Sequence, residues 1–394
     1  MIFSPKVGLH ENVAVLDYND EFANIIVNEN ISYETVGVKK QFDSIPLGIL
    51  PRIVKQLVTK RILLKQSLKQ LHSESQEASH YEQQADIIKK ILVCLYGTTG
   101  SYWNKYGNVS AFEAINKKSR EILLKTKDIV QELGYELIYA DTDAAFVHKH
   151  NASKQDYDEL RQIVSKKTGM SLCLEYHYKF IVLLPLEADE KLVALKHYFG
   201  ITYSKELVTR GIETRRHDTP NFIKQFQTEL LYTLFDCENT AGIYDKTLEE
   251  ALFCITKTID KVMTGEIELQ DLVITKQLRM NICNYRSMFP HVAAAIQLSN
   301  TERVSRGDNI EYIYIDSEHQ NPLSRVMPAQ SIRNHDSLDY DKEKYKEMLL
   351  DASESVLGIF GFDRTLFGKA KDKKWWMELR RNRIKDVRAE VGMR

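Results

Sequence analysis

The sequence predicts an α+β fold: a mixed layer of strands and helices, followed by a mostly helical C-terminal region. Residues 12–18 read NVAVLDY and residues 136–147 read ELIYADTDAAFV, alternating apolar runs that are typical of half-buried strands. Longer stretches with apolar residues at helical spacing lie between these runs and beyond them. With 394 residues, the chain is also long enough for two or three domains.

The first elements predict a strand layer from which a pair of helices protrudes. Residues 1–45 have the pattern of a strand, a turn, a helix and a loop. A helix then follows Pro46 and Pro51, the polar stretch 72–80 breaks it, and a second helix runs over residues 81–95. Tyr96-Gly97 and Gly100 are expected to stop that helix. Two antiparallel helices with a polar tip would form a protruding hairpin.

The remaining elements follow from the same two periodicities. The segment Asp-Thr-Asp joins two strand-like runs and predicts a tight hairpin. Beyond Pro220 the pattern is mostly helical. The further predicted elements are helices at 110–133, 156–169, 221–235, 246–264 and 268–280, strands at 172–186 and 309–316, and a last pair of helices.

Composition indicates an ordinary globular protein of the cytoplasm. Apolar residues make up 43% of the chain and charged residues 28%. No apolar run approaches the length of a membrane span, and the N-terminus lacks a secretory pattern, so no membrane partner is expected. Without any Cys-x-x-Cys pair, the cysteines are expected to be reduced, buried thiols and not zinc ligands: Cys94, Cys173, Cys237, Cys254 and Cys283.

Charge is balanced overall and uneven along the chain. The net charge of −1 gives no global indication of nucleic acid. Residues 364–394 hold eleven Lys or Arg against four Asp or Glu, together with Trp375 and Trp376. This basic tail fits a solvated amphipathic helix, a nucleic-acid contact or a surface that docks a partner protein, and the sequence leaves these alternatives open.

Three carboxylates stand at the ends of adjacent predicted strands. Asp17 ends the first strand, and Asp141 and Asp143 form the tip of the hairpin. Such a set suits two divalent cations that catalyse in-line phosphoryl transfer. Taken alone, an Asp-x-Asp segment is more often a simple Asx turn. Three cations on the helical hairpin, Arg61 and Lys65 on one face and Lys89 on the second helix, would suit a triphosphate, although such cations are usually just solvated.

The order of these elements resembles the family B DNA polymerases. Motif A of that family is an aspartate followed by Ser-Leu-Tyr-Pro-Ser-Ile-Ile, and motif C is Tyr-x-Asp-Thr-Asp-Ser. The matching segments, in chain order, are Asp17-Tyr-Asn-Asp-Glu-Phe-Ala-Asn-Ile-Ile26, Lys89-Lys-Ile-Leu-Val-Cys-Leu-Tyr-Gly97 (motif B), Tyr139-Ala-Asp-Thr-Asp-Ala144, Leu195-Lys-His-Tyr-Phe-Gly200, Arg210-Gly-Ile-Glu-Thr-Arg-Arg-His-Asp-Thr-Pro220, Pro290-His-Val-Ala-Ala-Ala295 and Gly307-Asp308.

The resemblance implies a right-hand polymerase fold with a mixed α/β palm, helical-hairpin fingers and a mostly helical thumb. The implied domains are palm at 1–45 and 101–215, fingers at 46–100, and thumb with the basic tail at 216–394. It implies two Mg²⁺ ions, for which Mn²⁺ can substitute, held by Asp17, Asp141 and Asp143. The remaining implied site residues are Arg61, Lys65, Lys89, Phe22, Tyr96 and Gly97 for the nucleotide, and Lys196, Tyr198, Arg215 and Arg216 for DNA.

Several positions depart from the family pattern. Asp20-Glu-Phe-Ala23 replaces Ser-Leu-Tyr-Pro and adds two acids near the metal site. Val93-Cys94 replaces Asn-Ser in motif B, Ala144 replaces the serine of motif C, and Leu195 replaces a lysine. These changes resemble the divergent second type of archaeal family B polymerase. The three carboxylates themselves are intact.

The functional expectation is a DNA-directed DNA polymerase that adds dNTPs to the primer of a primer–template DNA. Sixteen residues precede Asp17, so we expect no proofreading by this chain alone and a separate N-terminal or exonuclease subunit as a partner, unless the chain is an exonuclease-less variant or a truncated one. The rival expectation is a weakened or inactive DNA-binding or assembly subunit derived from such a polymerase.

Overall fold

The computed structural model of the protein describes residues 6–36, 46–68, 70–71, 75–141, 143–186, 189–332 and 339–367. Its chain folds into two units. One comprises Met1–Lys6 and Asn12–His177, and the other comprises Val7–Glu11 and Tyr178–Arg394. Strands and helices occur in both, so the predicted mixed class is confirmed. The basic tail beyond residue 367, with Trp375 and Trp376, lies outside the described residues.

The first unit consists of a sheet covered by helices. Its strand order is β2-β3-β1-β4, and strands β1 and β4 continue into the second unit. The elements are β1 (Gly8–Tyr18), α1 (Glu21–Asn28), α2 (Ile49–Leu68), α3 (Gln76–Thr99), α4 (Val109–Glu132), β2 (Glu136–Ala140), β3 (Ala144–His148), α5 (Lys154–Thr168) and β4 (Leu172–Leu186).

The core of the first unit lies between this sheet and the helices. Leu16 of β1, Ile25 of α1, Ile115 and Val130 of α4 and Val164 of α5 are all buried in one apolar cluster. Burying each such side chain contributes roughly 1.5–3 kcal/mol. The cluster therefore fixes the position of β1 against the helices that carry the charged residues of the site.

Pairing of β1 with β3 determines where the predicted acidic residues lie. The antiparallel register runs from Val13 opposite His148 to Asp17 opposite Ala144. Beyond this pair, the Tyr18 amide donates to the Asp143 carbonyl at 2.8 Å. The Asp141 amide donates to the Ala144 carbonyl at 3.0 Å and closes the predicted hairpin between β2 and β3.

The predicted helical pair exists, with different ends. Helices α2 and α3 pack against each other. Ser75 caps α3, its hydroxyl accepting from the Ala78 amide at 3.1 Å, so residues 76–80 are helical and not part of the polar break. The helix continues through Gly97 to Thr99, and Gly100 is its C-cap. The expectation that Tyr96-Gly97 stops the helix is therefore wrong.

The second unit has a meander of strands, a small sheet and several helices. The strand order is β4-β5-β6 in the first of these sheets and β7-β8-β9 in the small one. The elements are β5 (Asp189–Thr202), β6 (Leu207–Arg210), α6 (Asn221–Leu234), α7 (Thr240–Gly242), α8 (Leu248–Thr264), β7 (Ile274–Gln277), α9 (Pro290–Leu298), β8 (Asn309–Tyr314), β9 (Val326–Pro328), α10 (Ala329–Ile332), α11 (Lys342–Leu357) and α12 (Arg364–Phe367).

One predicted helix of this unit is wrong. Residues 268–280 form a short 3₁₀ turn, Leu269–Leu272, followed by strand β7. Leu272 and Val273 lie three and four residues after Leu269, and Leu278 lies four after Ile274, which matches a helical face over so short a stretch. Antiparallel pairing of Ile274 with Tyr312 on β8 stabilises the strand instead.

The cysteine prediction is half confirmed. All five thiols are free. None is buried, however: Cys94 and Cys283 are exposed, and the other three are partly exposed. Cys94 lies on the solvent side of α3, which its apolar neighbours in sequence did not indicate. Among the described residues, no helix combines the length and the apolar character that a membrane crossing needs.

Gly200 of β5 provides a test of this fold. A Cβ atom at this position would lie 2.5 Å from the carbonyl oxygen of Phe180 on β4. Because that neighbour is backbone, we expect Gly200→Ala to lower the free energy of unfolding by about 1–3 kcal/mol. Urea unfolding followed by circular dichroism measures this change.

The matched control is Gly97→Ala. A Cβ at Gly97 would meet nothing within 4 Å. Since Gly97 lies in a helix, alanine there should leave stability unchanged or raise it by up to about 1 kcal/mol. Equal urea midpoints for Gly200→Ala and the unmodified chain would contradict the close β4–β5 approach.

Candidate active site

A cleft with a cavity volume of about 140 Å³ lies in the first unit, between the end of β1 and helices α1, α2 and α3. It brings together seven of the predicted site residues. They are Asp17, Phe22, Arg61, Lys65, Lys89, Tyr96 and Asp143. Asp141 and Gly97 are not among the residues that line it. The rest of the wall includes Asn19, Asp20, Glu21 and Leu92.

Negative charge is crowded at the end of β1. Burial, together with the charges of Asp143 and Glu175, raises the pKa of Asp17 to about 7. Lys89 and Lys65 oppose this effect by stabilising the ionised form. Asp17 is therefore a carboxyl group that titrates near neutral pH. Lys65 and Lys89 offset only part of the burial and the repulsion that raise its pKa.

Glu21 is a second perturbed acid in the same cleft. Its residue is 3% exposed, and among the described residues neither side-chain oxygen has a hydrogen-bond partner. Burial, together with the charges of Asp143 and Asp17, raises the pKa of Glu21 to about 8. The neighbouring Ser119 side chain lowers the pKa of Glu21, but by less than burial raises it. Glu21 is therefore a largely neutral carboxylic acid at pH 7.

The donor chemistry of the cleft fits a divalent cation. Carboxylate oxygens are the ligands that Mg²⁺ and Mn²⁺ prefer, and a cation would offset both causes of the raised pKa of Asp17, its burial and the nearby charges of Asp143 and Glu175. Across the residues the structure describes, no three His, Cys, Asp or Glu side chains already form a group that could hold a metal ion. The set of Asp17, Asp141 and Asp143 is thus not preassembled.

Stacked aromatic rings form another wall. Phe22 lies on Tyr96 with ring centroids 3.9 Å apart and planes 10° from parallel. Tyr96 stacks in turn on Phe112 at 5.2 Å, and its hydroxyl donates to Asn116 Oδ1 at 2.7 Å. These contacts join α1, α3 and α4 and fix the orientation of the Phe22 ring.

The three predicted cations have different environments. Lys65 and Lys89 are exposed and face the cleft. The Arg61 side chain is 7% exposed and forms an ion pair with Asp20, which is 12% exposed. Arg61 Nε also donates to the Ala85 carbonyl of α3 at 3.3 Å. Asp20 itself is a left-handed residue, with φ 51° and ψ 44°, at the N-cap of α1.

The predicted DNA contacts lie in the second unit. Lys196 is exposed at a positive φ of 58° on β5, whereas Tyr198 is only 9% exposed and pairs with Arg210 of β6. Arg215 Nε donates to the Thr209 carbonyl at 3.2 Å. Arg216 is paired with Asp218, at 3.1 Å and 3.3 Å. Their role in binding DNA stays a prediction.

Two neighbours of Asp17 on β4 escaped sequence reasoning. Glu175 raises the Asp17 pKa, and the Cys173 thiol lies 4.0 Å from Asp17 Oδ2. Both stand two residues apart on β4, so they face the same side of the sheet. The available signal was the pattern Leu-Cys-Leu-Glu at the start of the strand predicted over residues 172–186, in which these two side chains alternate with leucine.

The comparisons with known proteins explain this combination of a strand end, a hairpin and two helices. The sequence model of DNA polymerase family B matches residues 37–358. The chain belongs to this family. The matched stretch contains Lys89, Asp141 and Asp143 and begins after Asp17.

Relatives within family B agree over most of this chain. A DNA polymerase of Archaeoglobus fulgidus is 29% identical over 75% of this chain and 37% of its own length. DNA polymerase 2 of Aeropyrum pernix is 25% identical over 92% of this chain and 44% of its own. The mouse DNA polymerase alpha catalytic subunit is 22% identical over 88% of this chain and 25% of its own length. The chain thus spans a quarter to under half of these relatives.

The fold is also similar to that of a solved family B structure. The family B DNA polymerase from the hyperthermophilic archaeon Pyrobaculum calidifontis superposes with a TM-score of 0.65. This match covers 92% of the present chain and 47% of the archaeal one, at 22% sequence identity. The mixed α/β fold is therefore shared with a family B polymerase.

Glu21 gives a pH-dependent test of the site. Its pKa is raised on folding, so the folded chain prefers protonated Glu21. The contribution of the protonated carboxyl group to the stability of the folded chain is complete below pH 4.5 and is lost as the pH rises to about 8. We expect Glu21→Gln, which cannot ionise, to gain stability relative to the unmodified chain over this window, by on the order of 3 kcal/mol. Urea unfolding at pH 5, 6.5 and 8.5 measures the difference.

A stability difference that does not change with pH would show that Glu21 is ionised in the folded chain. Glu121→Gln is a suitable control, because Glu121 is exposed on α4. That variant should follow the unmodified chain at all three pH values.

Proposed function

We propose that this family B chain is the catalytic part of a DNA-directed DNA polymerase. It would add dNTPs to a primer 3′ end by two-metal phosphoryl transfer. The observation that carries the proposal is the joint lining of one cleft by Asp17, Asp143, Lys65 and Lys89. Carboxylates for metals and cations for phosphates then line one space that a nucleotide could enter.

The proposed layout is that of a right hand. Residues 1–45 and 101–215 would be the palm, 46–100 the fingers and 216–394 the thumb with the basic tail. Helices α2 and α3, which carry Arg61, Lys65 and Lys89, would be the fingers. The strands that carry Asp17 and the Asp141–Asp143 turn would belong to the palm.

Asp17, Asp141 and Asp143 would hold two Mg²⁺ ions. When bound, the ions supply Lewis-acid activation of the primer hydroxyl and charge neutralisation at the phosphates. Arg61, Lys65 and Lys89 would bind and orient the triphosphate. The flat Phe22 ring, fixed by Tyr96, would exclude a 2′-hydroxyl and so select deoxynucleotides. Gly97 would allow close approach of the nascent base pair.

Contacts to primer–template DNA are assigned to the second unit. Lys196, Tyr198, Arg215 and Arg216 would bind phosphates or the minor groove. Arg216 would do so with its charge already shared with Asp218. Because such contacts release counterions, binding should weaken steeply as salt rises.

Asp141→Ala tests the catalytic role. With Mg²⁺, dNTPs and a primed template, the unmodified chain should extend the primer, and the variant should lose at least about a hundredfold in rate, since a metal ligand is removed. Asp128→Ala is the control, because Asp128 is exposed on α4 of the same unit. Equal extension by Asp141→Ala, or none by the unmodified chain, would contradict the proposal.

Metal affinity should depend on pH through Asp17. Since its pKa is about 7 without metal, protons compete with the cation below that value. We expect the apparent affinity for Mn²⁺, measured by electron paramagnetic resonance of the free ion, to fall up to about tenfold per pH unit between pH 7 and 5.5. Asp17→Asn should bind weakly at every pH. An affinity that is constant over this range would rule out Asp17 as a ligand.

A further inference from the structure

The ion pair between Asp20 and Arg61 is built into the wall of the cleft. One guanidinium nitrogen, Nη1, contacts both oxygens of the Asp20 carboxylate. With the two side chains 7% and 12% exposed, little solvent screens the pair. Arg61 Nε is also occupied, by the Ala85 carbonyl. The arginine therefore has anionic and backbone partners before any nucleotide is present.

The two lysines of the same cleft differ in this respect. Within the described part of the chain, neither Lys65 nor Lys89 forms an ion pair or a hydrogen bond, and both are exposed. Phosphate groups can reach them without displacing another anion. Of these three cations, Arg61 is the one whose ion pair an incoming phosphate must displace, within the described part of the chain.

The sequence shows why a carboxylate stands there. Asp20 occupies the position at which the family pattern of motif A has serine, and a hydroxyl cannot neutralise a guanidinium. Its left-handed backbone, φ 51° and ψ 44°, is one that aspartate tolerates better than most residues, and it turns the chain directly from β1 into α1. The pair thus arises from this chain's own departure from the pattern.

We propose that Asp20 is an internal substitute for a nucleotide phosphate and thereby sets the nucleotide affinity of the site. Its carboxylate neutralises Arg61 in the empty cleft, and the triphosphate of an incoming dNTP must displace it. This inference rests on the proposed function, because it takes the cleft to be the nucleotide site. It is a statement about binding and requires no chemical step.

Binding of inorganic tripolyphosphate and of dATP to the full chain tests the inference, by isothermal titration calorimetry without DNA. Asp20→Asn keeps the shape of the side chain and removes its charge. We expect it to bind both ligands about tenfold more tightly than the unmodified chain. In an Arg61→Gln background, the same Asp20→Asn change should give no gain, because the competed-for cation is absent.

Glu29→Gln is the matched control. It removes the carboxylate of the exposed Lys118–Glu29 ion pair at the other end of α1 and should leave both affinities unchanged. Unchanged or weaker binding by a folded Asp20→Asn variant would overturn the inference and make Asp20 a residue that only positions α2. A tenfold gain that persists in the Arg61→Gln background would overturn it as well.

A measurement on the unmodified chain covers the case in which Asp20→Asn does not fold. The Nε–H signal of Arg61 in a ¹⁵N NMR spectrum, assigned with Arg61→Gln, should shift when tripolyphosphate saturates the site. No shift at saturation would overturn the inference. Primer extension separates the two proposals. If Asp20→Asn binds tripolyphosphate more tightly but the unmodified chain extends no primer, the role of Asp20 is retained and the polymerase activity is refuted.

Discussion

The antiparallel pairing of β1 with β3 is the constraint on which the site depends. It places Asp17 opposite Ala144, and the Tyr18 amide binds the Asp143 carbonyl. A shift of one residue would turn Asp17 to the other face of the sheet. The buried run Val13–Leu16 disfavours this, because both faces of the strand are packed and the shift would exchange side chains of different size between them. The carboxyl groups are therefore held close together in spite of their repulsion.

This crowding accounts for the unusual acids of the cleft. Asp17 and Glu21 both ionise less readily than free carboxyl groups because they share a poorly solvated space with Asp143. Asp20, next to Glu21, forms an ion pair with Arg61. A site of this kind is electrostatically incomplete, and cations that enter it stabilise the chain as well as serving chemistry.

The sequence predicted an element correctly where its residue pattern clearly favoured either a strand or a helix. Strand β4 was predicted to the residue, since its many aromatic side chains favour a strand. Residues 268–280 were misassigned because β7 is stabilised by a partner strand distant in sequence. In the site, Asp17, Lys65 and Lys89 followed from motif spacing. The burial of Arg61 did not, since it depends on the left-handed turn at Asp20.

The free thiols of the protein are also spread over both units. Cys94 is exposed in the first unit and Cys283 in the second, while the other three are partly shielded. Maleimide dyes would therefore react first at these two positions. The natural sequence thus supplies a donor and an acceptor site for fluorescence energy transfer, with which the separation of the units can be followed in real time as nucleic acid is added.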